Sequence, residues 1–273
     1  MTSAEEEESP PHKKSLMKRF LTIPVLIVTT VLTTAISWGA TTLLTRVSQV
    51  GPQNALAISL ETDPAHMSGV GGEGRLTIIP GSVRTKDNPG QGCAGFHSWA
   101  AKNSGIDGGQ TTLRVYAQGR SEKAAVITGI NINVLEKGPP SQGIPASCPT
   151  AGEVTFRTFT INLDVSPPKI SYDSNSGAPF SFTLAKGETE AFTITAISKR
   201  ATYRWALSLN VLVEGEQATV PIGSPTGFTT TAFKVQRYWE WDFHTAWTLV
   251  RADGKIARPL RLIPSDEPLP PLD

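Results

Sequence analysis

The segment RYWEWDFHTAW, residues 237–247, has the densest set of side chains that could do chemistry. Side chains on a β-strand alternate between two faces, so Glu240, Asp242 and His244 would share one face. Two carboxylates and an imidazole could hold a divalent metal, or Asp242 could orient His244 as a general base. A metal site usually takes more imidazole or thiolate ligands than one histidine supplies. We therefore predict no metal, no cofactor and no catalytic residue here.

The tryptophans of this segment allow two interpretations. Packed inward, Trp239, Trp241 and Trp247 would be core residues beside a solvated polar face. If their rings were exposed, they could stack on sugar rings, since exposed aromatic groups mark ligand surfaces. The inward arrangement is favoured, and the alternative is a polysaccharide-binding surface formed by the three tryptophans with Glu240, Asp242 and His244.

Three glycines in GVGGEG, Gly69, Gly71 and Gly74, match the G-x-G-x-x-G pattern of dinucleotide-binding loops. That chemistry needs a preceding strand and a following helix whose N-terminus binds the pyrophosphate. The residues that follow, RLTIIP, instead predict a strand. We interpret the glycines as a flexible loop.

A second motif, SPPK, places Ser166 and Lys169 at the S-x-x-K spacing of penicillin-recognising enzymes. The reaction requires both side chains on one helical turn, so that the base reaches the hydroxyl. Pro167 and Pro168 disfavour such a helix, because a residue before proline leaves the α region. The motif predicts no hydrolase.

Two cysteines occur in the chain, Cys93 and Cys148. Outside the cytoplasm such a pair persists as a disulfide, and a bridge here is the prediction. The neighbouring segment 96–109 lacks the spacing of a calcium loop and is predicted to be a loop tethered by this disulfide.

The elements that position these residues begin with an uncharged stretch, residues 20–44. Twenty-five helical residues reach about 37 Å, more than the ~30 Å of a hydrocarbon core. Four basic residues, at positions 13, 14, 18 and 19, precede the stretch, and only Arg46 closely follows it. Because positive residues stay inside, we expect a transmembrane signal-anchor with residues 1–19 cytoplasmic and the rest outside. A cleaved export signal is the alternative.

Composition narrows the remaining part. The chain has 25 basic and 24 acidic residues, so it offers no electrostatic surface for nucleic acid. Its 24 glycines and 21 prolines are scattered, as in a chain of many short strands and turns.

Apolar residues alternate with period two in many segments, which predicts an all-β fold. We expect an antiparallel, immunoglobulin-like β-sandwich over residues 112–222, with Trp205 in its core. Short strands at 56–60 and 75–79 lie in a juxtamembrane connector, 45–111. Additional strands follow over 223–263, and a Pro-rich extended tail over 264–273.

Several segments of this region together resemble a known group of proteins. They are TLRVYAQGRSEKAAVITGININV, PASCP, FTINLD, LAKGETEAFTITA and YRWALSLNV. The chain resembles, over residues 112–222, the outer domain of membrane-anchored proteins of unknown function from high-GC Gram-positive (actinobacterial) bacteria. The resemblance implies a β-sandwich fold and a location outside the membrane, and it implies no activity.

The sequence therefore predicts a single-pass bacterial cell-membrane protein that is not an enzyme. Its outer β-sandwich would act as an interaction or structural module. The partners we expect are the membrane itself and an envelope protein or cell-wall polysaccharide.

Overall fold

A computed structural model describes residues 52–67, 76–81, 88–149, 157–173, 180–234, 236–241, 246–251, 255–256, 269 and 272. They belong to one compact unit, Val50–Asp273. The predicted cytoplasmic tail, 1–19, and transmembrane segment, 20–44, lie outside the described residues. Within the part of the chain that the structure describes, no helix is both long and apolar enough to cross a bilayer.

The described chain is mostly β-sheet. Its strands are β1 (Leu56–Glu61), β2 (Thr77–Ile79), β3 (Ile106–Gly108), β4 (Gln110–Gly119), β5 (Ala125–Gly138), β6 (Ile144–Ser147), β7 (Arg157–Asn162), β8 (Lys169–Asp173), β9 (Phe182–Leu184), β10 (Thr189–Ile197), β11 (Thr202–Val213), β12 (Glu216–Ile222), β13 (Phe228–Thr231), β14 (Arg237–Trp241) and β15 (Trp247–Arg251). A 3₁₀ turn, η1 (Pro52–Asn54), precedes β1, and a helix, α1 (Phe96–Lys102), lies between β2 and β3.

The strands form two sheets. The smaller sheet has the order β1-β4-β10-β7-β8. The larger sheet has the order β15-β14-β6-β2-β3-β13-β11-β5-β9, and β12 pairs with β11 beside this path. The strands predicted at 56–60 and 75–79 are present as β1 and β2, and each extends one of the two sheets.

The sheets contain parallel as well as antiparallel neighbouring strands, which the sequence does not predict. We expected antiparallel neighbours, and among the described strands β7–β10, β3–β13 and β6–β14 are parallel instead. Parallel neighbours must be joined by a crossover connection, which strand periodicity does not reveal. The antiparallel prediction for residues 112–222 is therefore wrong for the β7–β10 pair, while the sandwich-like arrangement of two sheets is confirmed.

The main core lies between the two sheets. β11 shows why its sequence forms a strand, since its residues alternate between buried and partly exposed over all twelve positions. Trp205 at its centre is fully buried, as predicted. Leu113, Val115 and Ala117 of β4 enter the same core from the smaller sheet. Burial of both inner faces therefore holds the sheets together.

A buried network of hydroxyl groups satisfies the polar atoms of this core. The indole N–H of Trp205 donates to Oγ1 of Thr230 at 3.0 Å. Thr230 Oγ1 lies 2.7 Å from Oγ1 of Thr111, which in turn donates to Asp107 at 2.6 Å. Because each group has a partner, burying these atoms avoids the desolvation cost of an unpaired donor or acceptor.

A second core forms beside the C-terminal strands. It collects Ile79, Phe96, Trp99, Ala100, Ile144, Ala146, Cys148, Trp239, Trp241, Trp247 and Leu269. We expected a loop over 96–109, but α1 lies there and buries Phe96, Trp99 and Ala100. In the predicted tail, Leu269 is buried in this core and Leu272 packs against it.

Candidate functional site

The three tryptophans of the predicted ligand surface lie in the second core. Trp239, Trp241 and Trp247 are 1, 1 and 0% exposed. Trp241 and Trp247 face each other across the β14–β15 pair with ring centroids 5.0 Å apart. Trp99 of α1 also packs on Trp247, with ring centroids 5.3 Å apart and the ring planes tilted by 46°. In this arrangement almost none of the surface of the three rings is exposed.

The polar half of that predicted surface is described only in part. Glu240 alternates with the buried tryptophans of β14 and is partly exposed. Asp242 and His244 lie outside the described residues. Among the residues that are described, no group of three histidine, cysteine or acidic side chains is placed to hold a metal ion.

A disulfide joins Cys93 and Cys148, as predicted. It connects the segment before α1 to the end of β6, with the two Cα atoms 5.7 Å apart. Cys148 is buried, and its Sγ lies 3.2 Å from the carbonyl oxygen of Trp241. The indole N–H of Trp241 donates to the carbonyl of Gly90 at 3.0 Å. The disulfide and this hydrogen bond therefore hold the segment before α1 against the second core.

A narrow crevice beside the disulfide has ionisable groups at its rim. It is lined by Asp63, Pro64, Ala65, Thr77, Cys93, Phe96, His97 and Cys148. Nε2 of His97 lies 3.2 Å from Oγ1 of Thr62. The crevice encloses about 10 Å³, room for a single water molecule and for no larger ligand.

The loop next to this crevice is organised by one carboxylate. Oε1 of Glu61 accepts hydrogen bonds from the backbone N–H groups of Thr62 and Asp63 at 2.8 and 2.7 Å. Partial burial raises the pKa of Glu61, but these bonds and the neighbouring His66 outweigh it and hold the pKa below its ordinary value. Glu61 is therefore ionised at neutral pH, and its role is to fix the turn after β1.

The two other motifs do not form sites in the described residues. Gly69, Gly71 and Gly74 lie outside them. Lys169 is the first residue of β8, so it does not share a helical turn with Ser166. The S-x-x-K geometry that acyl-enzyme chemistry requires is therefore missing.

A groove with a volume of about 480 Å³ lies on the strands β5, β11 and β12. This volume falls in the range of pockets that hold small ligands, about 300–1,000 Å³. Its lining is uncharged and consists of Gln53, Thr128, Asn210, Val211, Gln217, Ala218 and Thr219. We call this concavity the amide groove.

Strand register places the polar side chains of the amide groove on one face. Asn210 of β11 pairs with Gly129 of β5 and with Thr219 of β12. One position further along, the register of β5 against β11 shifts and leaves Thr128 without a paired residue. A bulge of this kind re-aims a side chain, and here it turns the exposed Thr128 toward the groove.

The amide of Asn210 is held in place by a neighbour. Nδ2 of Asn131 donates to Oδ1 of Asn210 at 2.5 Å, and Nδ2 of Asn210 donates to Oδ1 of Asn131 at 3.3 Å. Each carboxamide has two N–H donors and an oxygen with two lone pairs. The reciprocal pair uses one donor and one lone pair of each, so both side chains retain a donor and an acceptor for a ligand.

No motif in the sequence predicts this groove. Asn131, Asn210 and Thr219 are ordinary outward positions of regular strands. Pairing of β11 with β5, which is far from it in sequence, places Asn131 beside Asn210.

No protein-family model matches the chain, and neither a curated protein nor a solved structure matches it significantly. The candidate site is therefore interpreted from its own geometry.

Proposed function

We propose that the chain is a single-pass membrane protein whose β-sheet body lies outside the cytoplasm and acts as an interaction module. The observation that carries this proposal is the Cys93–Cys148 disulfide, because such bonds persist in oxidising compartments and are rare in the cytosol. The uncharged segment 20–44 and the basic residues before it support the same orientation.

The proposal includes an immunoglobulin-like character for the body, supported by two sheets that bury Trp205 between them. It also includes kinship with the actinobacterial envelope proteins that the sequence resembles.

We favour binding over catalysis because of the lining of the amide groove. Amides, hydroxyls and aliphatic groups do not titrate near neutral pH, so they cannot serve as general acids or bases there. They can hydrogen-bond a ligand that is held and released unchanged.

Site-specific photocrosslinking in the native envelope tests this function. A benzophenone amino acid replaces Gln217 in the groove of the full-length chain, and the matched control replaces Tyr116, which is 36% exposed on the smaller sheet. We expect a discrete adduct from position 217 and none from position 116. Equal labelling at both positions, or turnover of an envelope substrate by the purified chain, would contradict the proposal.

A further inference from the structure

We propose that the amide groove binds a neutral glycan, an uncharged chain of sugar residues. This inference rests on the proposed function and names the ligand class of that module. It differs from the sugar surface considered in the sequence, because the tryptophans of that surface are buried and the groove lies on other strands.

Charge is the first argument for this ligand. No ionised side chain lines the groove. One ion pair joins β11 to β5, Arg204 with Glu136 at 3.2 Å, and another joins the connections that flank these strands, Lys123 with Glu214 at 2.8 Å; each is internally neutralised. A charged ligand would lose hydration on entering without gaining a counter-charge, whereas a neutral ligand avoids that cost.

Hydrogen-bond chemistry is the second argument. A sugar hydroxyl is both a donor and an acceptor, and it therefore matches carboxamides and threonine hydroxyls, which are also both. Asn210, Gln217 and Thr219 provide such groups on adjacent strands, and the Asn131 amide fixes the first of them before any ligand arrives. Groups that are fixed in advance lose less side-chain entropy on binding.

The position of the groove argues for a glycan over a peptide. An extended peptide usually binds by adding a strand to a free sheet edge, where backbone groups are available. β11 at the centre of the groove is paired on both sides, by β5 and by β12. Its backbone is used in the sheet, so over β11 the groove offers side chains, which suits a ligand that is itself covered with hydroxyls.

Aliphatic side chains beside the amides are the fourth argument for a glycan. Leu212 of β11 pairs with Val126 and Gln217 in the next row of the same face, and both aliphatic residues are partly exposed. The C–H face of a pyranose ring can pack against such a pair while its hydroxyls reach the amides.

The test uses the full-length chain purified in detergent and titrated with maltohexaose, cellohexaose and the neutral N-acetylglucosamine hexamer, with hexagalacturonate as the charged comparison. We expect at least one neutral hexasaccharide to bind with a Kd of about 1 mM or below, and hexagalacturonate to bind at least about tenfold more weakly. Asn210→Asp removes a donor and adds a charge, so we expect it to raise the Kd for the neutral ligand at least about tenfold.

Two matched controls keep the result specific. Asn133→Asp makes the same change at an exposed position of β5 outside the groove lining, and we expect less than about a twofold effect on Kd. Thr219→Val removes only a hydroxyl from the groove and should weaken binding, while Thr183→Val on β9 should not.

Failure of the glycan proposal can be separated from failure of the proposed function. Absence of binding by every neutral hexasaccharide at about 10 mM would overturn the ligand class. A protein adduct from position 217 in the crosslinking experiment would then leave the interaction module standing. An equal loss of binding in Asn133→Asp and Asn210→Asp would reject the groove as the glycan site.

Discussion

Replacing Cys93 and Cys148 together by alanine is expected to lower the free energy of unfolding by about 4 kcal/mol. The bridge closes a separation of 55 residues, and a cross-link of that length removes much conformational freedom from the unfolded chain. The loss is large against a typical total stability of about 5–15 kcal/mol. Urea unfolding of the full-length chain, followed by tryptophan fluorescence, measures it.

The native chain in reducing agent is the control for this double variant. Reduction should shift the midpoint of the native chain to that of the variant and should leave the variant unchanged. A double variant whose unfolding free energy falls by less than about 1 kcal/mol would contradict the expected stabilisation by the bridge.

Truncating Trp205 to alanine is expected to cost about 3–5 kcal/mol. The side chain is fully buried between the two sheets, and its ring packs on Phe228 with centroids 4.9 Å apart. Removing it leaves a cavity and also leaves the Thr230 hydroxyl without its indole donor. The measurement is the unfolding free energy in urea.

Two further variants make the Trp205 result interpretable. Trp205→Phe keeps an aromatic ring but removes the indole N–H, so we expect a smaller loss of about 1–3 kcal/mol. Tyr116→Ala, at a half-exposed position of the smaller sheet, should change the stability by less than about 1 kcal/mol. Equal losses in Trp205→Ala and Tyr116→Ala would mean that Trp205 is not a core residue.

The sequence predicts best the long strands that bury one face and expose the other. YRWALSLNVLV over 203–213 becomes β11, Thr202–Val213, and its alternation follows burial residue by residue. α1 was missed because seven residues make only two turns, too short to display a helical period. Its buried Phe96, Trp99 and Ala100 do have the i, i+3, i+4 spacing of a helix face.

Pairing and the site depend on information that a local pattern does not contain. β9 and β10 are joined through Gly187, which has a φ of +84°, yet they belong to different sheets. The amide groove likewise needs the pairing of β11 with β5, distant in sequence, before Asn131 and Thr128 lie beside Asn210. Residue types alone suggested the tryptophans of 239–247 as a ligand surface. These side chains pack inward because burying their large apolar surface is favourable.

The orientation of the chain in the membrane is the claim on which the proposed function most depends. A cassette with a site-specific protease site and an epitope tag is placed after Asp273 in one chain and before Met1 in another. The account predicts that protease added to intact cells releases the tag after Asp273 and leaves the tag before Met1 until the cells are lysed. Retention of the tag after Asp273 on intact cells, or its absence before Met1 in the mature chain, would contradict the account.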